Sequence, residues 1–254
     1  MIGIFDSGTG GLSVYREIFK TLPKEKYVYY SDNAHCPYGE KSQEYIIDRA
    51  RSITDFLIGQ GCDIVVVACN TATAAAISTL RNEYSIPFIG MEPAVKPAAL
   101  STHSGVIGVL ATAGTLKASK YLDTRDKFTD GVRVIEHVGQ GFVELVESGD
   151  LDSPKAEAVV RASVEPLTAE GADVIVLGCT HYPFLKDTIK KVAGPDVDII
   201  DPAPAAARHL LHVMEENNLI RNDAENSCGD PKAADIKLFS SGEPAALRRI
   251  FALV

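Results

Sequence analysis

Two cysteines, Cys69 and Cys179, are the residues of this sequence best placed to carry chemistry. Each closes a short apolar run that begins with an aspartate, and each is followed directly by polar side chains, Asn70–Thr71 in one case and Thr180–His181 in the other. A thiol is nearly neutral at its reference pKa of about 8.5, but a helix N-terminus or a neighbouring histidine brings the thiolate within reach. Both cysteines could therefore serve as proton acceptors, nucleophiles or ligands.

The segments around the two cysteines repeat. Sliding the chain by 110 residues lays Cys62–Thr71 over Ala172–His181 and aligns the two cysteines. A weaker echo at a slightly shorter offset places Ile2–Ser7 over Ile107–Thr112. This self-similarity predicts a duplicated α/β unit and hence two related domains.

Short apolar runs alternate with longer amphipathic stretches along the whole chain. The short runs are continuously apolar, which is what parallel strands covered by helices on both faces require. We therefore predict an α/β fold of two pseudo-symmetric domains with mainly parallel sheets flanked by helices, and an active site in the cleft between them. The predicted strands cover 2–5, 27–30, 63–68, 87–90, 106–110, 132–138, 173–178 and 197–200, and helical spacing marks 42–60, 72–84, 154–170 and 202–217.

Two proline-containing stretches that follow predicted strands mark the seams between the domains. They are Met91–Ala94 and Pro202–Pro204. The sequence of Met91–Ala94 resembles that of Pro202–Ala205. If both are crossovers, residues after about Ala205 form helices that return to the first domain. The sequence thus predicts a first domain of residues 1–93 plus 205–254 and a second domain of residues 94–204.

The glycine-rich turn Asp6–Gly11 follows the first predicted strand, where ligands bind in parallel α/β sheets. It lacks the spacing of a dinucleotide loop and has no lysine after its last glycine, so we discount a phosphate site. We interpret its glycines as permitting a tight turn and presenting N–H groups to a carboxylate at a helix that begins near Gly11. The alternative is a simple turn in which Asp6 or Ser7 only caps that helix.

Two matched thiols that face one cleft suit the inversion of a stereocentre. Inversion by proton transfer needs a base on one face of the α-carbon and an acid on the other, and a duplicated domain delivers one such group from each half. A zinc site around Cys179 and His181 would need further ligand pairs that the sequence lacks, and a redox pair would need a CxxC. Nucleophilic catalysis by Cys179 with His181 stays open chemically but leaves Cys69 unexplained.

Composition narrows the classes of function. The chain is 46% hydrophobic and 23% charged, which is ordinary for a globular protein, and its net charge of −9 argues against nucleic acid as a partner. The first residues have no positively charged lead and no apolar run is long enough to span a bilayer, so we expect a cytoplasmic protein without membrane contact. The five cysteines should stay reduced.

Six motifs, in order, resemble those of the cofactor-independent aspartate/glutamate racemase superfamily, and within it the glutamate racemases: IGIFDSGTGG, CPYGEKS, VVACNTATA, IPFIGMEPA, GVLATAGT and VLGCTHYPFL. The resemblance implies an enzyme that supplies D-glutamate for peptidoglycan, without cofactor or metal, and a homodimer. It implies that Cys69 and Cys179 transfer protons, with Asp6 assisting Cys69, His181 assisting Cys179, and Glu147 as a further acidic group near the second thiol. The substrate contacts that it implies are Asp6, Ser7, Tyr38, Gly39, Asn70, Thr71, Thr112, Thr115, Thr180 and His181.

Two other functions remain open at this point. One is a racemase of aspartate or another small substrate, because the depth of the cavity decides side-chain specificity. The other is a protein that closes on an amino acid without turning it over, which would not need a thiol on each side. The remaining cysteines are expected to have no role: Cys62 as a small buried hydrophobe, Cys36 as a bystander beside the cleft, and Cys228 as an exposed thiol.

Overall fold

The computed structural model describes residues 1–221 and 230–254, so Cys228 lies outside the described residues. Its longest helix has 17 residues, and no helix in the described part of the chain is both long and apolar enough to cross a bilayer. The strands are β1 (Ile2–Asp6), β2 (Tyr27–Ser31), β3 (Ile64–Val67), β4 (Phe88–Gly90), β5 (Val106–Ala111), β6 (Arg133–Val138), β7 (Val174–Gly178), β8 (Asp198–Ile200) and β9 (Ile236–Ser240). The helices are α1 (Leu12–Thr21), α2 (Gln43–Gly59), α3 (Asn70–Glu83), α4 (Val95–Ser101), α5 (Ala113–Leu116), α6 (Ser119–Phe128), α7 (Phe142–Ser148), α8 (Pro154–Ala169), α9 (Lys186–Ala193), α10 (Ala203–Glu216) and α11 (Pro244–Phe251).

The described strands form two sheets with the same internal order. One sheet runs β4-β3-β1-β2-β9 and the other runs β8-β7-β5-β6, and every pairing in both is parallel. The first four strands of each half therefore correspond one to one, with β9 as an addition at the edge of the larger sheet. This arrangement confirms the predicted α/β fold of two pseudo-symmetric units.

Both faces of each sheet are covered by helices. In β3, Ile64 and Val66 pack into one apolar cluster with α1 and α10, whereas Val65 and Val67 pack into another with α2 and α3. The same alternation in β7 sends Ile175 into the first of these clusters, which thus extends through both sheets. Because each successive side chain of a strand meets a helix layer, the strands read as continuous apolar runs.

The eight predicted strands all form, with ends within one residue of the prediction, and the four predicted helices form as well. The prediction for the residues after Ala205 was wrong in one respect, because they contain β9 in addition to helices. Strand β9 pairs with β2 and has the exposed Lys237 as its second residue, so it does not read as a continuous apolar run. Its place at the sheet edge explains the mixed pattern.

Candidate active site

Parallel pairing brings the carboxyl ends of β1, β3, β5 and β7 to the edges where the polar motifs begin. Cys69 follows β3 and is the N-cap of α3, where its sulfur accepts a hydrogen bond from the Ala72 N–H at 3.4 Å. The Cys69 thiol also lies 3.7 Å from Ser7 Oγ, to which it donates. A helix N-terminus favours negative charge, so this position suits a sulfur that must carry a thiolate for part of a reaction.

Cys179 begins a chain of three polar groups. Its sulfur lies 3.8 Å from Nδ1 of His181, and the other ring nitrogen, Nε2, lies 2.7 Å from Oε1 of Glu147. The same carboxylate oxygen accepts hydrogen bonds from the Thr9 N–H at 2.6 Å and the Thr9 hydroxyl at 3.0 Å. Glu147 in helix α7 is therefore fixed by the loop after β1, and it orients His181 toward the thiol.

The electrostatics of this chain favour a positively charged His181. Burial by itself would lower the pKa of His181, but the contacts with Cys179 and Glu147 outweigh it and raise that pKa well above its usual value. Burial raises the pKa of Glu147, yet its hydrogen bond to His181 and the charge of that ring lower it overall. The pair thus holds an imidazolium next to the Cys179 sulfur, where it stabilises negative charge.

Cys69 has the opposite environment. Burial, together with the negative charge of Asp6, raises the pKa of the Cys69 thiol to about 12. At neutral pH its sulfur therefore carries a proton, which suits Cys69 to act as a proton donor.

Asp6, at the end of β1, connects the two halves. Its Oδ1 accepts from the Gly8 N–H at 2.7 Å and the Ser7 hydroxyl at 3.1 Å, while Oδ2 accepts from the Thr180 hydroxyl at 2.7 Å. The carbonyl of Thr180 in turn accepts from the Ser13 hydroxyl at 2.8 Å. Full burial raises the pKa of Asp6, with His181 and these donors opposing the shift.

The glycines of the turn after β1 are not needed for the conformational freedom that the sequence predicted. None of Gly8, Gly10 and Gly11 has a positive φ. Instead, a Cβ at Gly8 would lie 2.3 Å from Glu147 Oε1, and a Cβ at Gly10 would lie 2.3 Å from His181 Nδ1. Gly8 and Gly10 are needed because side chains of the other half lie directly against their backbone.

A narrow cleft lies between the two halves and is lined by both thiols. Cys69 and Cys179 are 6% and 9% exposed, so each is sequestered from bulk water without being closed off from the cleft. The other residues that line it are Ser7, Pro37, Tyr38, Gly39, Asn70, Thr71, Thr112, Val143, Thr180 and His181.

Three hydroxyls close the cleft near the start of α3. Thr71 Oγ1 lies 3.0 Å from Thr112 Oγ1 and 3.2 Å from Thr115 Oγ1, so the first half contributes one hydroxyl and the second half two. The neighbouring Asn70 is only 3% exposed, and neither its amide nitrogen nor its oxygen has a hydrogen-bond partner in the described structure. An unpartnered buried amide is costly, so this group has unmet capacity for a polar ligand.

Tyr38 is held by a buried ion pair. Its hydroxyl donates to Asp32 Oδ2 at 2.5 Å, and Arg49 binds the same carboxylate through Nε at 2.9 Å and Nη2 at 2.7 Å. This arrangement fixes the ring and places the adjacent Gly39 next to Thr112, whose Cβ lies 3.2 Å from the position a Gly39 Cβ would take.

The structure brings all the residues predicted for the site into this region. Eight of them besides the thiols line the cleft, whereas Asp6, Thr115 and Glu147 lie behind it and contact residues that do. Sequence reasoning missed Thr9, which lay within a motif already singled out, and the pair of Asp32 with Arg49, for which no motif gave a signal. Cys36, taken as a bystander, has its sulfur within 4.8 Å of donor atoms of Glu147 and His181.

The family model for the Asp/Glu/Hydantoin racemases matches residues 2–210 of this chain. Among curated proteins, a glutamate racemase of Stutzerimonas stutzeri strain A1501 is 47% identical over 254 residues, covering 100% of this chain and 93% of that protein. A glutamate racemase of Methylococcus capsulatus is 49% identical over 244 residues, covering 96% of this chain and 87% of that protein.

Solved structures give the same picture. The glutamate racemase of Escherichia coli, in complex with L-glutamate and the activator UDP-MurNAc-ala, has a TM-score of 0.86 at 31% identity, covering 99% of this chain and 92% of that one. The glutamate racemase of Francisella tularensis, in complex with D-glutamate, has a TM-score of 0.82 at 29% identity with the same coverage of 99% and 92%.

Proposed function

This chain belongs to the Asp/Glu/Hydantoin racemase family, and we propose that it interconverts L-glutamate and D-glutamate with Cys69 and Cys179 as the two proton-transfer groups. The observation that carries the proposal is that both sulfurs line one narrow cleft, each delivered by a different half of a duplicated fold. A stereocentre bound between them would present one face to each thiol.

The environment of Cys69 assigns it the role of proton donor for one enantiomer. It holds its proton, since burial and Asp6 raise its pKa to about 12. The Cys179 sulfur lies 3.8 Å from Nδ1 of His181, whose ring would stabilise the thiolate that takes the α-proton in this proposal. For one enantiomer, Cys179 takes the α-proton and Cys69 gives its proton to the opposite face of the resulting carbanion.

After this step Cys179 is a thiol and Cys69 is a thiolate. The Ala72 N–H at the start of α3 and the Ser7 hydroxyl then stabilise the charge on Cys69. The protein in this form is ready for the mirror-image substrate, for which the two groups exchange roles. Alternatively, proton exchange with water restores the first form.

Glutamate would be held without a lysine or arginine side chain. Among the described residues, those that line the cleft include neither lysine nor arginine. The ligands available to its carboxylates and amino group are hydroxyls such as Thr71 and Thr180, the amide of Asn70, and backbone N–H groups at the start of α3. Because Asn70 has no other partner, we assign it to substrate.

We also propose the setting in which the enzyme acts. Residues 1–93 with 205–254 form one domain and residues 94–204 the other, and the two close on glutamate. The enzyme is a cytoplasmic homodimer that supplies D-glutamate for peptidoglycan and requires no cofactor or metal for catalysis.

The test is to incubate the purified protein with L-glutamate in heavy water without added cofactor, and to follow optical rotation together with deuterium at the α-carbon. Loss of rotation with incorporation of deuterium is the expected result. Exchange with aspartate but not with glutamate would move the assignment to another substrate. Binding of an amino acid without exchange would contradict the proposed racemase activity.

A further inference from the structure

We infer that a thiophilic divalent cation such as Zn²⁺ binds at Cys36, Glu147 and His181. It inhibits the enzyme by binding His181 through Nε2, the ring nitrogen that does not face Cys179. One ligand atom of each of these three residues lies within 4.8 Å of the other two. A thiolate sulfur, an imidazole nitrogen and a carboxylate oxygen are a donor set typical of zinc and poor for Mg²⁺. The three residues come from the loop before Tyr38, from α7 and from the turn after β7.

The three donor atoms converge over the backbone of Gly8. The position that a Gly8 Cβ would occupy lies 2.3 Å from Glu147 Oε1, 3.1 Å from Cys36 Sγ and 3.1 Å from His181 Nε2. Because residue 8 is glycine, the three donor atoms can lie this close to its backbone and to one another.

Small side-chain shifts would give the geometry that zinc requires. Zinc bonds of about 2.0–2.3 Å in a tetrahedral arrangement place neighbouring ligand atoms roughly 3.3–3.6 Å apart. His181 Nε2 and Glu147 Oε1 are 2.7 Å apart, so they would separate by roughly half an ångström, and the sulfur would approach by about an ångström. Cys36 is only partly buried, which gives its side chain room to turn and the cation a route of entry.

Glu147 has an oxygen to spare for this purpose. Oε1 accepts all three hydrogen bonds that the described structure gives the carboxylate, from Thr9 and His181. When Oε1 turns to the cation, Oε2, which has no hydrogen bond in the described structure, is available to accept from Thr9 and so keep α7 in place. Three protein ligands leave a fourth position for water, as in other open zinc sites.

Binding would displace one proton from the Cys36 thiol and one from Nε2 of His181, with both protons released to solvent. Nε2 would then no longer donate to Glu147, and His181 would lose the doubly protonated form that stabilises charge on Cys179. The inhibitory consequence rests on the proposed racemase function, whereas binding of the cation does not.

The activity arm titrates buffered free Zn²⁺ against racemisation by the unaltered protein, by Cys36→Ser, and by Cys62→Ser as the matched control. Cys62 is buried between Gly3 and Leu57, away from the site, and neither cysteine belongs to the proposed catalytic groups. We expect inhibition that EDTA reverses in the unaltered protein and in Cys62→Ser. In Cys36→Ser, with activity unchanged in the absence of metal, the inhibitory concentration should rise by at least roughly tenfold, since even outer partners of a metal cost about 10–100-fold in affinity.

Equal sensitivity of Cys36→Ser, or no inhibition of the unaltered protein by millimolar Zn²⁺, would overturn the inference. A second arm uses Co²⁺, whose thiolate charge-transfer and ligand-field absorption bands report a tetrahedral sulfur-containing site without reference to activity. The bands should be present in the unaltered protein and in Cys62→Ser and absent in Cys36→Ser and Cys36→Ala. Retention of the bands in both Cys36 variants would contradict the site, and failure to racemise glutamate would leave this arm unaffected.

Discussion

Glu147→Gln tests whether the carboxylate behind His181 contributes to catalysis through its charge. The amide keeps the shape of the side chain and an oxygen that can accept from Thr9 and His181, so the change removes charge rather than position. A hydrogen bond to a charged group contributes about 1.5–3 kcal/mol and a neutral one about 0.5–1.5 kcal/mol. The expected loss of transition-state stabilisation is thus about 1–2 kcal/mol, which lowers kcat/KM by about 5- to 30-fold.

The Glu147→Gln variant should also change the pH profile of kcat/KM. Glu147 helps to raise the pKa of His181 well above its usual value, so removal of its charge lowers that pKa. His181 then loses its second proton at a lower pH, and the alkaline limb of kcat/KM should move toward neutral pH in the variant. A merely structural role for Glu147 would not move this limb.

The assay measures initial rates of optical rotation from pure L-glutamate and from pure D-glutamate in the same buffer. Enantiomers have equal free energies in water, so kcat/KM must be equal in the two directions for every variant, and this equality checks the data. Glu144→Gln is the matched control, because Glu144 lies one turn earlier in α7 and is not bonded to His181. A normal kcat/KM in Glu147→Gln, or an equal loss in Glu144→Gln, would refute the reasoning.

Three further predictions follow from other parts of the structure. Cys69→Ala and Cys179→Ala should each abolish racemisation while circular dichroism and thermal unfolding remain near normal, and a variant that racemised normally would remove the two-base assignment. The second prediction concerns Asp173. Its partial burial raises its pKa, but hydrogen bonds from Thr102 and from the His103 and Ser104 N–H groups outweigh this and lower the pKa to about 2. Since this folded-state pKa lies below the unfolded one, the stabilisation is complete above about pH 4 and is lost as pH falls through about 2. After discounting for solvent exposure, Asp173→Asn should lower the free energy of unfolding by about 1 kcal/mol at pH 7 and by less at pH 2. Asp63→Asn, at the matching position of the repeat, should lower the free energy of unfolding by less than Asp173→Asn does at pH 7. A urea titration that found the same loss at both pH values would contradict this account. Finally, glutamate should reduce the radius of gyration measured by X-ray scattering, and superimposable profiles with and without it would argue against closure of the two halves.

The fold could be predicted from sequence where burial was two-sided. Strands β1, β3, β5 and β7 are buried almost throughout between helix layers, so their apolar runs were legible without any partner information. Strand β9 lies at the sheet edge, and the exposed Lys237 leaves it without a continuous apolar run. The internal repeat predicted the site more directly than the apolar runs did, because it paired Cys69 with Cys179 from the sequence alone.

The links behind the thiols could not be predicted in the same way. The bond from Thr9 to Glu147 spans 138 residues of sequence, and the bond from Asp6 to Thr180 spans 174. Such contacts depend on how the two halves pack, which local spacing does not encode. The placement of Glu147 came from resemblance alone, and the structure adds the reason that it can reach His181.

The close approach of His181 and Glu147 to the glycine turn restricts how the two halves can diverge. A methyl group at residue 10 would overlap the His181 ring, and one at residue 8 would overlap the Glu147 carboxylate. The identity of these glycines is therefore dictated by side chains from the opposite half of the molecule. A chimaera that combined the first half of this chain with the second half of a distant relative would work only if the incoming residues at 147 and 181 tolerated the same turn. Substitutions at these paired positions should be strongly non-additive, so the two halves must change together although each has its own sheet.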